Sequence, residues 1–243
     1  MFNIRIAEMV VTIDNKYPLV KKKCTDYITE QENNTGFVLS VTDERMQYSI
    51  DYKRQFDGEE ITLPEAEYDA IHYELYGELH KFDAFWLHSV LIEKGGEGYA
   101  FTAEPGGGKS THAGFWLNTY KDASIVNGDN TIIRRCKENG IFYGYGTPFC
   151  GKEGEQENRR VPVRAICFIE KSPVNYVENM KPLDAARRML RDNWCIRDKS
   201  NIMPLMKLYI DLAEQTKFYR VHCNMNPDSA KVAYEFISRK QDK

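Results

Sequence analysis

Apolar and polar positions alternate through residues 1–13, the period of a strand, and Asp14 and Asn15 end the run. Residues 16–35 are rich in Lys and Glu and close on Asn33 and Asn34, which predicts a helix or loop followed by a turn. Two short runs follow: Phe37–Thr42 reads as a second strand and Gln47–Tyr52 as a candidate third. Leu63, Pro64 and Glu65 then open a helix, with proline and an acidic residue in its first turn. Tyr68, Ile71, His72, Leu75 and Leu79 carry it on at spacings of three and four. Residues 1–80 are thus expected to form a strand-rich extension with one helix, packed on a core made of residues 81–243.

From Phe82 the β-character strengthens. Phe85–Ile92 predicts a strand, Glu93–Gly98 a glycine-containing hairpin turn, and Tyr99–Thr102 the next strand. Lys109–Tyr120 suits a helix, Ala123–Asn127 a short buried strand, and Asn130–Arg135 with Ile141–Tyr145 a pair turning at Glu138–Gly140. A loop rich in Gly, Pro and charge occupies residues 146–160, and Val163–Ile169 is another buried strand. Helices are expected at Pro182–Arg191, Asn201–Gln215 and Pro227–Arg239, with a strand at Phe218–His222 between the last two. Strands and helices mixed in this way predict an α/β chain with mixed sheets.

Length and composition narrow the function classes. The chain has 243 residues, 42% apolar and 28% charged, which is enough to bury a core and is ordinary for a globular protein. The net charge of −3 has both signs interspersed, so no basic face suggests nucleic acid. Lys21, Lys22 and Lys23 suit a solvated loop. Six cysteines (Cys24, Cys136, Cys150, Cys167, Cys195, Cys223) lack the C-x-x-C spacing of a metal site and read as free thiols of a reducing compartment. No run approaches the ~20 apolar residues of a membrane span, and the N-terminus lacks the layout of a signal peptide. A cytoplasmic protein with no membrane partner is expected.

The chemistry gathers at residues 99–111. An apolar strand ends in Glu104, Pro105, Gly106, Gly107, Gly108, Lys109, Ser110 and Thr111, and a helix-compatible segment follows. Three glycines let successive backbone N–H groups turn inward as an anion-binding nest. The next helix aims its free N–H groups and positive dipole end at the same point. Lys109 supplies a full charge for outer phosphates, and the Ser110 hydroxyl suits a magnesium ion touching them. The loop departs from G-x-x-x-x-G-K-[ST] at its first position, where Ala103 replaces glycine. A glycine-rich turn that merely precedes a Lys–Ser pair is the bland alternative.

A phosphate loop needs an acidic partner. Asp129, after the apolar run ending at Asn127, would lie at a strand's C-terminal edge, as a magnesium contact or a general base. Asn127-Gly128-Asp129-Asn130 is equally good hairpin chemistry. In the long loop, Lys152 could touch phosphate and Glu153 a metal, or both could be surface charges. His88, mid-strand, could face a γ-phosphate or be a satisfied core histidine. His112 reads as structural, and Cys150 has no histidine beside it in sequence to make it a nucleophile.

These residues resemble, in order and spacing over about residues 82–190, the HPr kinase/phosphorylase family and its small serine-kinase-like relatives. The resemblance rests on His88 at the start of a hairpin, the loop Glu104–Thr111, the acidic strand end at Asp129, and Glu153 some two dozen residues later. It implies a phosphoenolpyruvate carboxykinase-type P-loop core, ATP and Mg²⁺, and transfer of the γ-phosphate to a hydroxyl of a peptide, protein or small molecule. Asp129, His88 and Lys152 would be catalytic, residues 104–111 would bind nucleotide, and Ser110, Glu153 and Asp129 would hold metal. Members often assemble into homo-oligomers. Three positions depart from the family: Ala103, Asn130 in place of a second aspartate, and Ser172–Asn175 in place of its Pro-Gly-Arg-Asn loop. A nucleotide-sensing module without a working base is the rival from another class, and Asn130 favours it. A conventional NTPase fits poorly, because the run into Asp129 is a weak Walker B strand.

Overall fold

A computed structural model of the chain describes residues 1–151, 154–192 and 201–239. It is a mixed α/β structure that divides into two compact units, Met1–Leu79 and His80–Lys243.

In the first unit, β1 (Phe2–Ile6) and β2 (Met9–Asp14) form an antiparallel hairpin, and β3 (Val38–Ser40) adds parallel to β2. Residues 1–13 are therefore two strands rather than one. The break is backbone conformation: Ala7 and Glu8 both adopt left-handed φ, 45° and 62°, the two-residue turn whose twist suits a hairpin. Neither is glycine, so no turn signal marks the place. Helix α1 (Pro18–Lys23) is followed by a 3₁₀ turn at Thr25–Tyr27. Gln47–Tyr52 is helical, not a strand; it lies in α2 (Asp43–Tyr52). The Thr42 hydroxyl accepts the Arg45 N–H, Asp43 and Glu44 sit in the first turn, and Met46 and Ser49 bury one face at a spacing of three. In α3 (Leu63–Glu78), Thr62 and Glu65 form a reciprocal capping box. Glu67, fully buried on α3, accepts the N–H groups of Lys16 and Tyr17 and ties the β2–α1 connection to α3.

In the second unit, β4 (Ala84–Lys94), β5 (Glu97–Thr102), β6 (Ala123–Asn127), β7 (Asn130–Arg135), β8 (Phe142–Tyr145), β9 (Arg160–Lys171), β10 (Tyr176–Asn179) and β11 (Lys217–Cys223) form, among the described residues, one eight-stranded mixed sheet. The centre is parallel, β5 to β9 and β9 to β11; the flanks are antiparallel. β9 is long enough to pair twice. Arg160–Pro162 bond to β8, and the residues from Val163 onward bond to β5, so the sheet curls back onto itself. The edge strand β10 escapes the sequence pattern because only Val177 of its four residues is buried.

Alternation along the central strands builds two cores. Ala100, Ile166, Phe168 and Phe218 face helices α5 (Pro182–Asp192) and α6 (Ile202–Ala213). Tyr99, Phe101, Cys167, Tyr219 and Val221 face helices α4 (Lys109–Thr119) and α7 (Asp228–Ile237). A sheet covered on both faces explains why these strands read as continuous apolar runs. No helix among the described residues is long and apolar enough to cross a membrane.

Candidate functional site

The parallel strand β5 ends at Thr102 and the chain turns through residues 103–108 into α4. The glycines are required for two different reasons. Gly106 and Gly108 have φ of +69° and +96°, and an added Cβ at either would meet nothing; conformation demands them. Gly107 has an ordinary φ, but a Cβ there would lie 2.7 Å from both the Ala103 Cβ and the Glu104 carbonyl oxygen. Its N–H donates to that carbonyl at 2.8 Å and closes the turn. Ala103 is buried and is not among the described residues with left-handed φ. The backbone there does not need glycine, which removes the objection raised by the missing first glycine of the motif.

Helix α4 begins at Lys109 with Gly108 as its N-cap, and among the described residues no side chain caps it. Its first N–H groups are thereby left for a ligand, under the positive end of the helix. Lys109 is partly desolvated, and burial holds its pKa below the usual lysine value; the negative charge of Asp129 opposes that effect. The loop's lysine and Asp129 therefore lie within electrostatic reach of each other. A cavity of about 520 Å³ opens beside the loop's second half, walled by Gly108, Thr111, Phe115, Pro173 and Met225.

Asp129 is not in a hairpin. β6 and β7 lie end to end along the same edge of β4, with Asn127 opposite Leu91 and Asn130 opposite His88. Gly128 and Asp129 are an irregular step between two stretches of one ladder. The Asp129 carbonyl accepts the Ser89 N–H at 2.8 Å, and Gly128 donates to the Glu155 carbonyl at 2.9 Å. The Asn127 side-chain oxygen accepts the N–H groups of Asp129 (3.0 Å) and Asn130 (2.6 Å), and its amide donates to Thr147. Gly151, at φ +78°, passes so close that a Cβ would lie 3.1 Å from the Asp129 Cβ.

Both carboxylate oxygens of Asp129 are engaged. Oδ1 lies 2.9 Å from His88 Nε2, and Oδ2 accepts the Asn130 amide at 2.9 Å. Against an ionised carboxylate, His88 Nε2 must carry the proton. Asn130 is fixed in turn: its Oδ1 accepts the Trp86 indole N–H at 2.9 Å, so its NH₂ points to Asp129. An aspartate at 130 could accept from Trp86 but would set a second anion against Asp129. The asparagine that departs from the family pattern thus has a specific use here. The two side chains of the pair are 28% and 34% exposed, so a reactant can reach them.

Of the residues singled out from sequence, Glu104–Thr111 form one loop and helix start, and His88 and Asp129 are in direct contact. Lys152 and Glu153 lie outside the described residues. His112 is structural: it is buried, accepts from Trp116 Nε1 at 3.1 Å and lies 3.4 Å from the Ser229 hydroxyl. Cys150 is buried, with its Sγ 3.8 Å from the Pro148 carbonyl oxygen. Sequence reading missed Trp86, Asn127, Thr147 and Gly151. Trp86 had a signal, since it precedes His88 by two on one strand and so shares its face; the rings stack at 6.0 Å. Thr147 had none, because it reaches Asn127 and Asn130 only through the fold.

No family model matches the chain, and no curated protein matches it. Solved structures that resemble it include the HPr(Ser) kinase/phosphatase from Coxiella burnetii, at 15% identity over 39% of this chain and 70% of that chain, with a TM-score of 0.28. A likeness that slight assigns neither a family nor an activity.

Proposed function

We propose that the chain is an ATP- and magnesium-dependent kinase that moves a γ-phosphoryl group to a hydroxyl of a peptide, protein or small molecule. The observation that carries this reading is geometric: an uncapped helix start at Lys109 behind a glycine turn, on the same sheet as an Asp129 carboxylate bonded to His88. Open space around Gly106 and Gly108 suits an anion cradle, and the apolar cavity beside Phe115 suits a nucleobase.

In this reading the loop N–H groups and Lys109 hold the β- and γ-phosphates. Ser110 and Asp129 would hold magnesium, and Glu153 is proposed as a further ligand; the ion would neutralise phosphate charge. Asp129 takes the acceptor's hydroxyl proton as that oxygen bonds to the γ-phosphorus and the bridge to the β-phosphate breaks, releasing ADP. His88 orients Asp129 and, with Lys152, offsets charge on the transferred group. Positioning and charge supply most of the rate.

Two variants test this. Lys109→Ala should weaken ATP binding at least about tenfold and abolish transfer. Asp129→Asn should keep ATP binding within about twofold and lower turnover by roughly 10²–10⁴. Undiminished turnover in Asp129→Asn would remove the base. Tight ATP binding by the wild type with no phosphate release or transfer would favour the sensor reading.

A further inference from the structure

A second cavity, about 700 Å³, adjoins the other half of the phosphate loop, where Glu104–Gly107 form one wall. The opposite walls are α5 and the neighbouring strands. Arg187, Arg188, Arg191, Arg220 and Lys171 line it against three carboxylates, Glu104, Glu170 and Asp184. The excess is cationic.

The carboxylates do not use up that charge. Glu170 is held by Arg188 at 2.7 Å and lies 3.8 Å from Arg220, which Glu178 holds at 3.1 Å, so the uncommitted charge is that of Arg187, Arg191 and Lys171. Arg187 and Arg191, four residues apart and so on one face of α5, are 70% and 64% exposed. Arg187 is 3.9 Å from Asp184, Arg191 is 4.0 Å from Glu104, and Arg191 also binds its neighbour Asp192 at 2.8 Å. Exposed pairs of this kind contribute little and exchange readily for a better anion. Lys171 has no ion-pair partner among the described residues. Arg188 is the least exposed of the arginines, laid over the Phe168 ring, and its Nε is buried with no hydrogen-bond partner among the described residues. That Nε has only the Asp192 carboxylate at 3.8 Å, too far for a hydrogen bond, so a ligand oxygen on this wall would satisfy it.

We infer that this cavity seats an oxyanion, a phosphate or carboxylate group, carried by the molecule whose hydroxyl is phosphorylated. The inference rests on the kinase reading above. The nucleotide is assigned Lys109 and the cavity at the loop's second half, which shares Gly107 and Lys171 with this one, and that leaves the arginines for the second substrate. Planar guanidinium groups match phosphate and carboxylate oxygens two at a time. The volume fits a small molecule or the anionic side chain of a larger one.

The test uses three-carbon probes that differ in charge: glycerol 3-phosphate, glycerate and glycerol. Each is titrated calorimetrically into the full chain loaded with magnesium and a non-hydrolysable ATP analogue. At least one anion should bind where glycerol does not, and which of them binds names the oxyanion. Arg187→Ala/Arg191→Ala should weaken that binding about tenfold or more, with analogue affinity held within about twofold. Arg187→Lys/Arg191→Lys should recover part of the loss. Anion binding unchanged in the alanine pair, absent from the wild type, or expelled by the analogue would overturn the assignment. If the analogue fails to bind the wild type, the kinase reading itself falls. Arginine-dependent anion binding would then leave the cavity an anion site but end its assignment to an acceptor.

Discussion

His112 should make α4 acid-labile. It is 2% exposed, and burial pushes its pKa down from 6.5 to about 4. Its Nε2 accepts the Trp116 indole N–H, so protonation would set one donor against another in a buried site. Between pH 6.5 and 4 the unfolded chain binds the proton and the folded chain does not. Stability therefore falls as pH drops through that window, and the loss is complete below about 4. A pKa of about 4 in place of 6.5 corresponds to about 3 kcal/mol. Acid protonates carboxylates too, so the measurement is a difference. His112→Gln keeps an acceptor for Trp116 and cannot titrate. Urea denaturation of both proteins between about pH 7 and pH 4 should show the wild type losing about 3 kcal/mol more than the variant. Parallel stability curves would refute the account, and with it the assignment of His112 as a neutral buried acceptor. Because α4 begins at Lys109 and the folded chain takes up the proton only near pH 4, nucleotide binding should weaken near pH 4 in the wild type more than in the variant.

Three further substitutions probe the loop and the Asp129 network. Trp86→Phe strands the Asn130 Oδ1 acceptor, which should cost about 1–3 kcal/mol in denaturation. The amide still donates to Asp129 but loses the bond that fixes its plane, so Asp129 is held less firmly and kcat should fall more than ATP affinity. Gly107→Ala drives a Cβ against Ala103 and the Glu104 carbonyl; a destabilisation of about 1–3 kcal/mol and weaker ATP binding are expected from melting and titration. Gly114→Ala, inside α4 where an added Cβ meets nothing, should instead raise stability by up to about 1 kcal/mol and leave ATP affinity unchanged.

What could be read from sequence follows the range of the interactions involved. The glycine loop and the helix after it were legible because every part is local: φ at 106 and 108, crowding at 107, and the uncapped start at Lys109 lie within a few residues. The helix over residues 63–79 was legible from its first-turn proline and its spacing, and the capping box agrees. The misreadings also have local causes. Residues 47–52 alternate well enough for a strand, but the decisive signals lie upstream, in the Thr42 cap and the acidic first turn. The break at Ala7 and Glu8 is carried by residue types that seldom adopt left-handed φ, so composition gives no warning.

Asn127–Asn130 shows where local reading stops. Judged by its own residues, this segment is as good a hairpin turn as an acidic strand end. What separates the two outcomes is β4, whose 11 residues are long enough to take β6 and β7 in succession along one edge. With both strands bonded to the same partner, Gly128 and Asp129 cannot reverse the chain; they interrupt a ladder, and Asp129 meets His88 beside the step. Asn127 holds the interruption in shape by accepting two backbone N–H groups, and Thr147 anchors Asn127 from twenty residues away. Most of β4 is visible in sequence as Phe85–Ile92, but the pairing of one strand with two others depends on a sheet that only the folded chain supplies. The same sheet turns Asn130 from a missing acid into the residue that orients the remaining one, because Trp86 stands two positions before His88 on that strand and dictates which way the amide faces.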